Sequence, residues 1–214
     1  MTVYNLQNFQ YKLKIRDYAF SLSENLISSQ SYSGAMTVNQ LGPRIWMGSI
    51  TCSPTSIEVA REIETAIRSI QTAGNYFAFC PPKYEYPQAD PTGSKLGSAT
   101  VTITSPVAGY TVNLAGLPAD YKITTGDYFS VIQNGVSVIY QFAETKTAAF
   151  NGTISIKMLN PFRANFVPAN GASAYLTYPW ATCRYIPGSM KTGTIGLDSA
   201  SGYQFDFQQV FSTQ

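Results

Sequence analysis

Thr125–Phe142, TGDYFSVIQNGVSVIYQF, constrains this chain more than any other stretch. Two β-rich runs, Tyr128–Gln133 and Val136–Phe142, meet at Asn134-Gly135. Both central residues of a type I′ turn take positive φ, which Asn and Gly tolerate best. The dipeptide therefore predicts a hairpin with a two-residue loop. The hairpin sits in a longer β-rich block, roughly Ser98–Thr177, with further strands expected at Ala99–Thr104, Tyr110–Leu114, Thr153–Met158 and Ala174–Thr177. Gly116-Leu117-Pro118 and Thr124–Asp127 punctuate it, and Asn160–Asn170 reads as an extended loop containing Pro. Short strands with no helix between them suit a small closed barrel of OB type.

The segments before the block differ. Leu6–Phe20 reads as a strand with Lys12, Lys14 and Arg16 on one parity and Leu13 and Ile15 on the other. The basic parity is either a solvated edge or a binding stripe, and edges commonly carry such charges. Ser28–Gly34 reads as a polar loop. Arg44–Cys52 reads as a strand with Trp46, Ile50 and Cys52 on one face, Ile45 and Met47 on the other. The one helix is expected at about residues 54–73, within Ser53–Gly74. Ser53 is its expected N-cap, Pro54 its first residue and Gly74 its C-terminal cap. Ile57, Ala60, Ile63, Ile67 and Ile70 form one apolar stripe, suited to a sheet or to a docked partner. Glu64 and Arg68 form an i,i+4 pair in the favourable order.

Asn75–Cys80 is a short aromatic strand ending at Pro81-Pro82. Lys83–Gly97, rich in Pro, Tyr and Gly, reads as a linker. Trp180–Ile186, Gly193–Leu197 and Tyr203–Phe211 are expected strands. In the last, Phe205 and Phe207 alternate with Gln204, Asp206 and Gln208. The fold class that follows is mainly β with one α-helix. Its expected layout is nested: residues 1–97 and 179–214 form one β domain, and 98–178 an inserted barrel.

Charge and chemistry narrow the function. Only 12% of the 214 residues are charged, and net charge is +2. Soluble domains average roughly 25% charged. Either Ser, Thr, Asn, Gln and Tyr cover the surface, or much of it is hidden in an assembly. Aromatic enrichment with charge depletion is how interface cores look, and the chain has 15 Tyr and 12 Phe. The scattered Lys and Arg give no nucleic-acid stripe. The chain has no His, which excludes Ser-His-Asp and Cys-His catalysis and His-containing zinc sites. Phosphate-cradling Gly motifs are absent. Of the acids, Glu58, Glu62 and Glu64 fall on the helix, and Asp90, Asp120, Asp127 and Asp198 fall at turns or breaks. Turn aspartates usually satisfy backbone N–H groups rather than perform glycoside hydrolysis. Cys52, Cys80 and Cys183 lack a CxxC pattern and read as buried thiols. No catalytic, cofactor or metal residue is expected. MTVYNLQNFQYKLKIRDY lacks the apolar core of a signal peptide, and no apolar run reaches about 20 residues. Synthesis in a reducing cytoplasm without membrane insertion is therefore expected.

Four segments, in order, resemble the distal tail protein, or tail-tip hub, of long-tailed bacteriophages in its smaller form. They are RIWMGSITCSPTSIEVAREIETAIRSI, then GNYFAFCPP, then LAGLPADYKITTGDYFSVIQNGVSVIYQF with GTISIKMLNPF, and last YLTYPWATCRYIP. They cover most of Arg44–Pro187. The Lys146–Asn151 turn departs from the Asp/Gly-rich form expected of relatives. The resemblance implies a tail-tube-like β-sandwich or split barrel carrying an inserted OB-like barrel. It further implies a hexameric ring in the virion that joins tail tube protein to the central hub. Such a ring offers a peripheral platform for fibre proteins and lets DNA pass along its axis without specific binding. It implies no catalytic residue. The competing function is a carbohydrate- or receptor-binding β module, because OB-like barrels and Tyr/Trp surfaces bind glycans.

Overall fold

The structure, a computed structural model, describes residues 2–32, 34–40, 42, 44–106, 108–197 and 199–212. The fold is mainly β, and the described residues form one α-helix, Ile57–Gln71. The chain divides into two compact units. One comprises 1–11, 72–183 and 210–214, the other 12–71 and 184–209. The expected insert, 98–178, lies inside the first unit, together with 72–97 and 179–183.

The first unit is organised by the hairpin. Tyr128–Gln133 pairs antiparallel with Val136–Gln141, and Gln133 faces Val136 across the turn. Asn134 and Gly135 have φ of 51° and 75°, the two positive angles that a type I′ turn requires. From this hairpin a circuit of strand contacts can be followed round. Tyr128–Gln133 pairs with Ala174–Tyr175, and Ser173 bridges Thr102. Thr102–Ile103 pairs with Gly109–Ala115, which pairs with Ile154–Phe162. Phe142 then bridges Met158 and returns the circuit to the hairpin. Inside lies one continuous buried core running from Leu96 to Leu176. Phe129 stacks on Phe142 at 4.6 Å between ring centres, and Tyr140 meets Phe162 edge-on at 4.9 Å. Val210 and Phe211 pack against the outside of this core. The same unit carries Thr2–Tyr4, parallel to Asn75–Phe79, which pairs antiparallel with Ala181–Cys183.

The second unit has Trp46–Cys52 between Ile15–Leu22 and Gln204–Gln209, antiparallel to both. Trp46, Ile50 and Cys52 are buried on one face, as their parity predicts, while Met47 is exposed. Phe205 and Phe207 are likewise buried, and Phe20 stacks on Trp46 at 4.8 Å. Gly48 makes this packing possible. A Cβ there would lie 2.6 Å from the Phe207 ring and 2.5 Å from the Ala19 carbonyl oxygen. On the helix, Ala60, Ile63, Ile67 and Ile70 are buried, Glu58 and Glu62 are exposed, and Arg68 donates to Glu64 at 2.6 Å. The stripe therefore faces the interior.

Several expectations are corrected. The helix starts at Ile57, not at Pro54. The N–H groups of Ser53 and Thr55 are taken by the Lys14 and Ala200 carbonyls, so the chain is still extended there. Ser56 supplies the first helical carbonyl, to Ala60. Leu6–Phe20 is not one strand. Gln10–Leu13 is a 3-10 turn and Lys14 has φ 48°, so Lys12, Lys14 and Arg16 share no strand face. Lys83–Gly97 is not a loose linker. Pro87, Asp90 and Leu96 are buried, and the Asp90 carboxylate accepts from the N–H groups of Lys95 and Leu96. The strand beginning at Ile154 runs through Pro161 to Phe162. A register shift between Lys157 and Phe162 accommodates the missing N–H. Ser28–Gly34 is not simply a loop, as described below.

The buried stripe makes Ile67→Ala costly, by about 2–5 kcal/mol. Glu62→Ala should stay within about 0.5 kcal/mol, as exposed substitutions do. Urea melts of the two variants check the ranking, and equal effects would contradict it. Gly48→Ala should lose about 1–3 kcal/mol by overpacking against Phe207. An unchanged melt for that variant would mean the ring has room to move.

Candidate assembly surface

Ser28–Gln30 of the segment expected to be a polar loop are not loop but the end of one strand of a β-hairpin. Leu26–Gln30 pairs antiparallel with Met36–Gln40. The Ser31 N–H donates to the Ala35 carbonyl at 2.8 Å and the Gly34 N–H to the Ser31 carbonyl at 2.9 Å. The root is clamped by Ser23. Its N–H donates to the Ile45 carbonyl, its hydroxyl accepts from the Ile45 N–H at 2.8 Å, and its carbonyl accepts from Arg44 Nε at 3.1 Å. We call residues 26–40 the arm.

Opposed residues of an antiparallel pair share a face. The register thus places Leu26, Ser28, Gln30, Met36 and Val38 on one face, and Ile27, Ser29, Thr37 and Asn39 on the other. All of these side chains are exposed. Leu26 and Val38 retain about half of their accessible surface, and Met36 66%. Among the described residues the two strands pair only with each other. No charged residue lies between Asn25 and Pro43. Exposed edges usually carry Lys, Pro or a bulge that blocks further pairing. The two arm strands carry none of these, and they add an apolar row. An isolated two-stranded hairpin is marginal in water, so this one gains by pairing or by being covered.

The arm escaped the sequence reading because Ser, Gln, Asn and Thr dominate it. Gly34, followed shortly by Met-Thr-Val, was the available signal. Exposure itself cannot be read from sequence.

The three thiols are free and buried. Burial pushes Cys52 up to about 11 and, with a smaller contribution from Glu85, Cys80 up to about 12. Burial likewise raises Cys183 well above the usual thiol range. Thiolates are therefore scarce at neutral pH. Asp127 accepts the N–H groups of Gln88 at 2.9 Å and Thr124 at 2.8 Å, and Asp120 sits at a turn with φ 56°. Asp90 and Asp127 thus bond turn N–H groups, as turn aspartates do. Asp198 lies outside the described residues. Among the described residues no group of three or more His, Cys, Asp and Glu is placed to hold a metal ion. No described helix is long and apolar enough to cross a membrane.

Burial raises the Asp127 pKa, against the lowering effect of its two N–H partners. A carboxyl whose folded pKa lies above its unfolded value, about 3.9, binds its proton more tightly when folded. Its contribution favours folding most below the unfolded pKa and is lost as pH rises through the folded pKa. The stability of wild type minus that of Asp127→Asn should therefore fall as pH rises through the carboxylate range. Melts of both proteins at a series of pH values check the sign, and a rising difference would contradict it.

Comparison with protein-family models and with curated proteins finds no match to this chain.

Proposed function

We propose that this chain is a structural protein of a phage tail tip and that its uncharged arm joins copies into a hexameric ring. The observation that carries this reading is the arm. It projects ten strand residues with open backbone edges, an apolar row and no charge to repel a neighbour. A ring of identical subunits needs heterologous contacts that close by rotation, in which one patch meets a different patch on the next copy. The second unit offers a further patch, where Ile195 and Leu197 stand exposed beside the short pair Thr194–Ile195 and Ala200–Ser201.

Other observations support it. The low charge and high aromatic content fit a chain whose surface is hidden in an assembly. The order of segments from Arg44 to Pro187 resembles distal tail proteins. The strand circuit around the Leu96–Leu176 core is what an OB-like barrel would present, and in such a ring it would sit at the periphery. Residues 1–97 and 179–214 would then be the tail-tube-like part, joining tube protein to hub and fibre proteins. Lys12, Lys14 and Arg16 do not form a stripe, so DNA could pass along the axis without being held by clustered phosphate contacts.

Light scattering on purified protein tests the reading. The expected species has six times the chain mass. Val38→Lys combined with Met36→Lys should give a monomer whose thermal midpoint matches the wild-type monomer, because both side chains are exposed. A wild-type monomer at high concentration, together with saturable binding on a glycan array, would favour the receptor-binding alternative.

A further inference from the structure

A second feature, in the first unit and independent of the arm, concerns a carboxylate among tyrosines. Gln10 makes two hydrogen bonds to Cys80: its Oε1 accepts the Cys80 N–H at 2.8 Å, and its Nε2 donates to the Cys80 carbonyl at 2.7 Å. This buried clamp fixes Tyr11 beside the segment that follows Cys80. In the same segment, the Glu85 carbonyl accepts the Tyr178 N–H at 2.6 Å. The Tyr86 and Tyr178 hydroxyls are hydrogen-bonded at 3.0 Å, with ring centres 5.1 Å apart and planes at 66°. Tyr178 holds φ 48°, a left-handed conformation that is uncommon for an aromatic residue. Such backbone outliers cluster at ligand clamps and other functional sites.

The rings stay accessible, Tyr11 at 48% and Tyr178 at 41%. Glu85 is half-buried, and among the described residues it has no ion-pair partner. Its charge acts on both outer tyrosines. Burial first, and then Cys80 and Glu85, raise the Tyr11 pKa. The hydrogen bond to Tyr86 is the leading cause at Tyr178, with Glu85 adding to it. Glu85 thus lies next to Tyr86 in sequence and is tied through its carbonyl to Tyr178, whose ring and hydroxyl meet those of Tyr86.

We propose that Tyr11, Glu85, Tyr86 and Tyr178 form a seat for a guanidinium group, supplied by an arginine side chain of a protein partner. Aromatic faces attract cations, and Glu85 supplies the countercharge. The tyrosine oxygens and the carboxylate are acceptors, so the cation that fits best brings donors. Guanidinium offers five N–H donors and a flat face for stacking, whereas a quaternary ammonium offers no donor. The proposal does not depend on the ring-forming reading, and either can fail alone.

The test is a titration of the full chain, carrying isotope-labelled tyrosine, with N-acetyl-arginine amide, followed by ring NMR signals. Saturable shifts of Tyr11, Tyr86 and Tyr178 are expected. Glu85→Gln, with an unchanged thermal midpoint, should weaken binding about fivefold or more, as loss of about 1 kcal/mol implies. Tyr178→Phe keeps the ring but removes the hydroxyl, and it should weaken binding less than Glu85→Gln. Choline is the control without donors and should bind more weakly than the arginine amide. Absence of saturable shifts, equal affinity for choline, or an affinity unmoved by Glu85→Gln would each overturn the assignment.

Discussion

Each β-strand has two rows of backbone N–H and C=O groups, and each row must find a strand, another partner or water. That requirement organises this chain. In the first unit a circuit of ladders and bridges leads from the Asn134-Gly135 hairpin back to itself, around a core of Phe129, Tyr140, Phe142 and Phe162. Most of the strands there find partners along this circuit. In the arm, Leu26–Gln30 and Met36–Gln40 pair, among the described residues, only with each other. The same chemistry that stabilises one part thus leaves the other open for association.

Charge decides what happens at an open edge. Lysines on an edge keep neighbouring chains away, and the arm has none between Asn25 and Pro43. Its apolar row of Leu26, Met36 and Val38 has no partner within its own two-stranded sheet. The Ser23 clamp fixes the root, so the arm emerges from a fixed base. These properties suit an element that completes its pairing on a neighbour, and they are why an assembly role is preferred to a catalytic one. The buried thiols and the turn-bonding Asp90 and Asp127 point the same way, since they act as packing and turn groups.

The parts legible in the sequence were those where one local rule is decisive. Asn-Gly set the hairpin register, the Ile spacing set the buried face of the helix, and alternation set the faces of Trp46–Cys52 and Gln204–Gln209. The illegible parts were decided by distant partners. Ser53 and Pro54 look like a helix start, but the Lys14 and Ala200 carbonyls hold that stretch extended. Lys83–Gly97 has a linker composition, yet Asp90 folds it by binding two of its own N–H groups, and Asp127 holds Gln88. The arm was hardest, because its polar residues carry no alternating signal. The tyrosine seat joins Tyr11, Tyr86 and Tyr178, which no local spacing could have connected.

Amide hydrogen exchange across the arm, compared between dilute and assembled protein, tests the central claim most directly. If the arm completes its pairing on a neighbour, the amides of Leu26–Gln40 exchange fast in the dilute state and become strongly protected on assembly. The amides of Tyr128–Gln133 should stay protected in both states. Arm amides that exchange equally fast in the assembled and the dilute state would contradict the account.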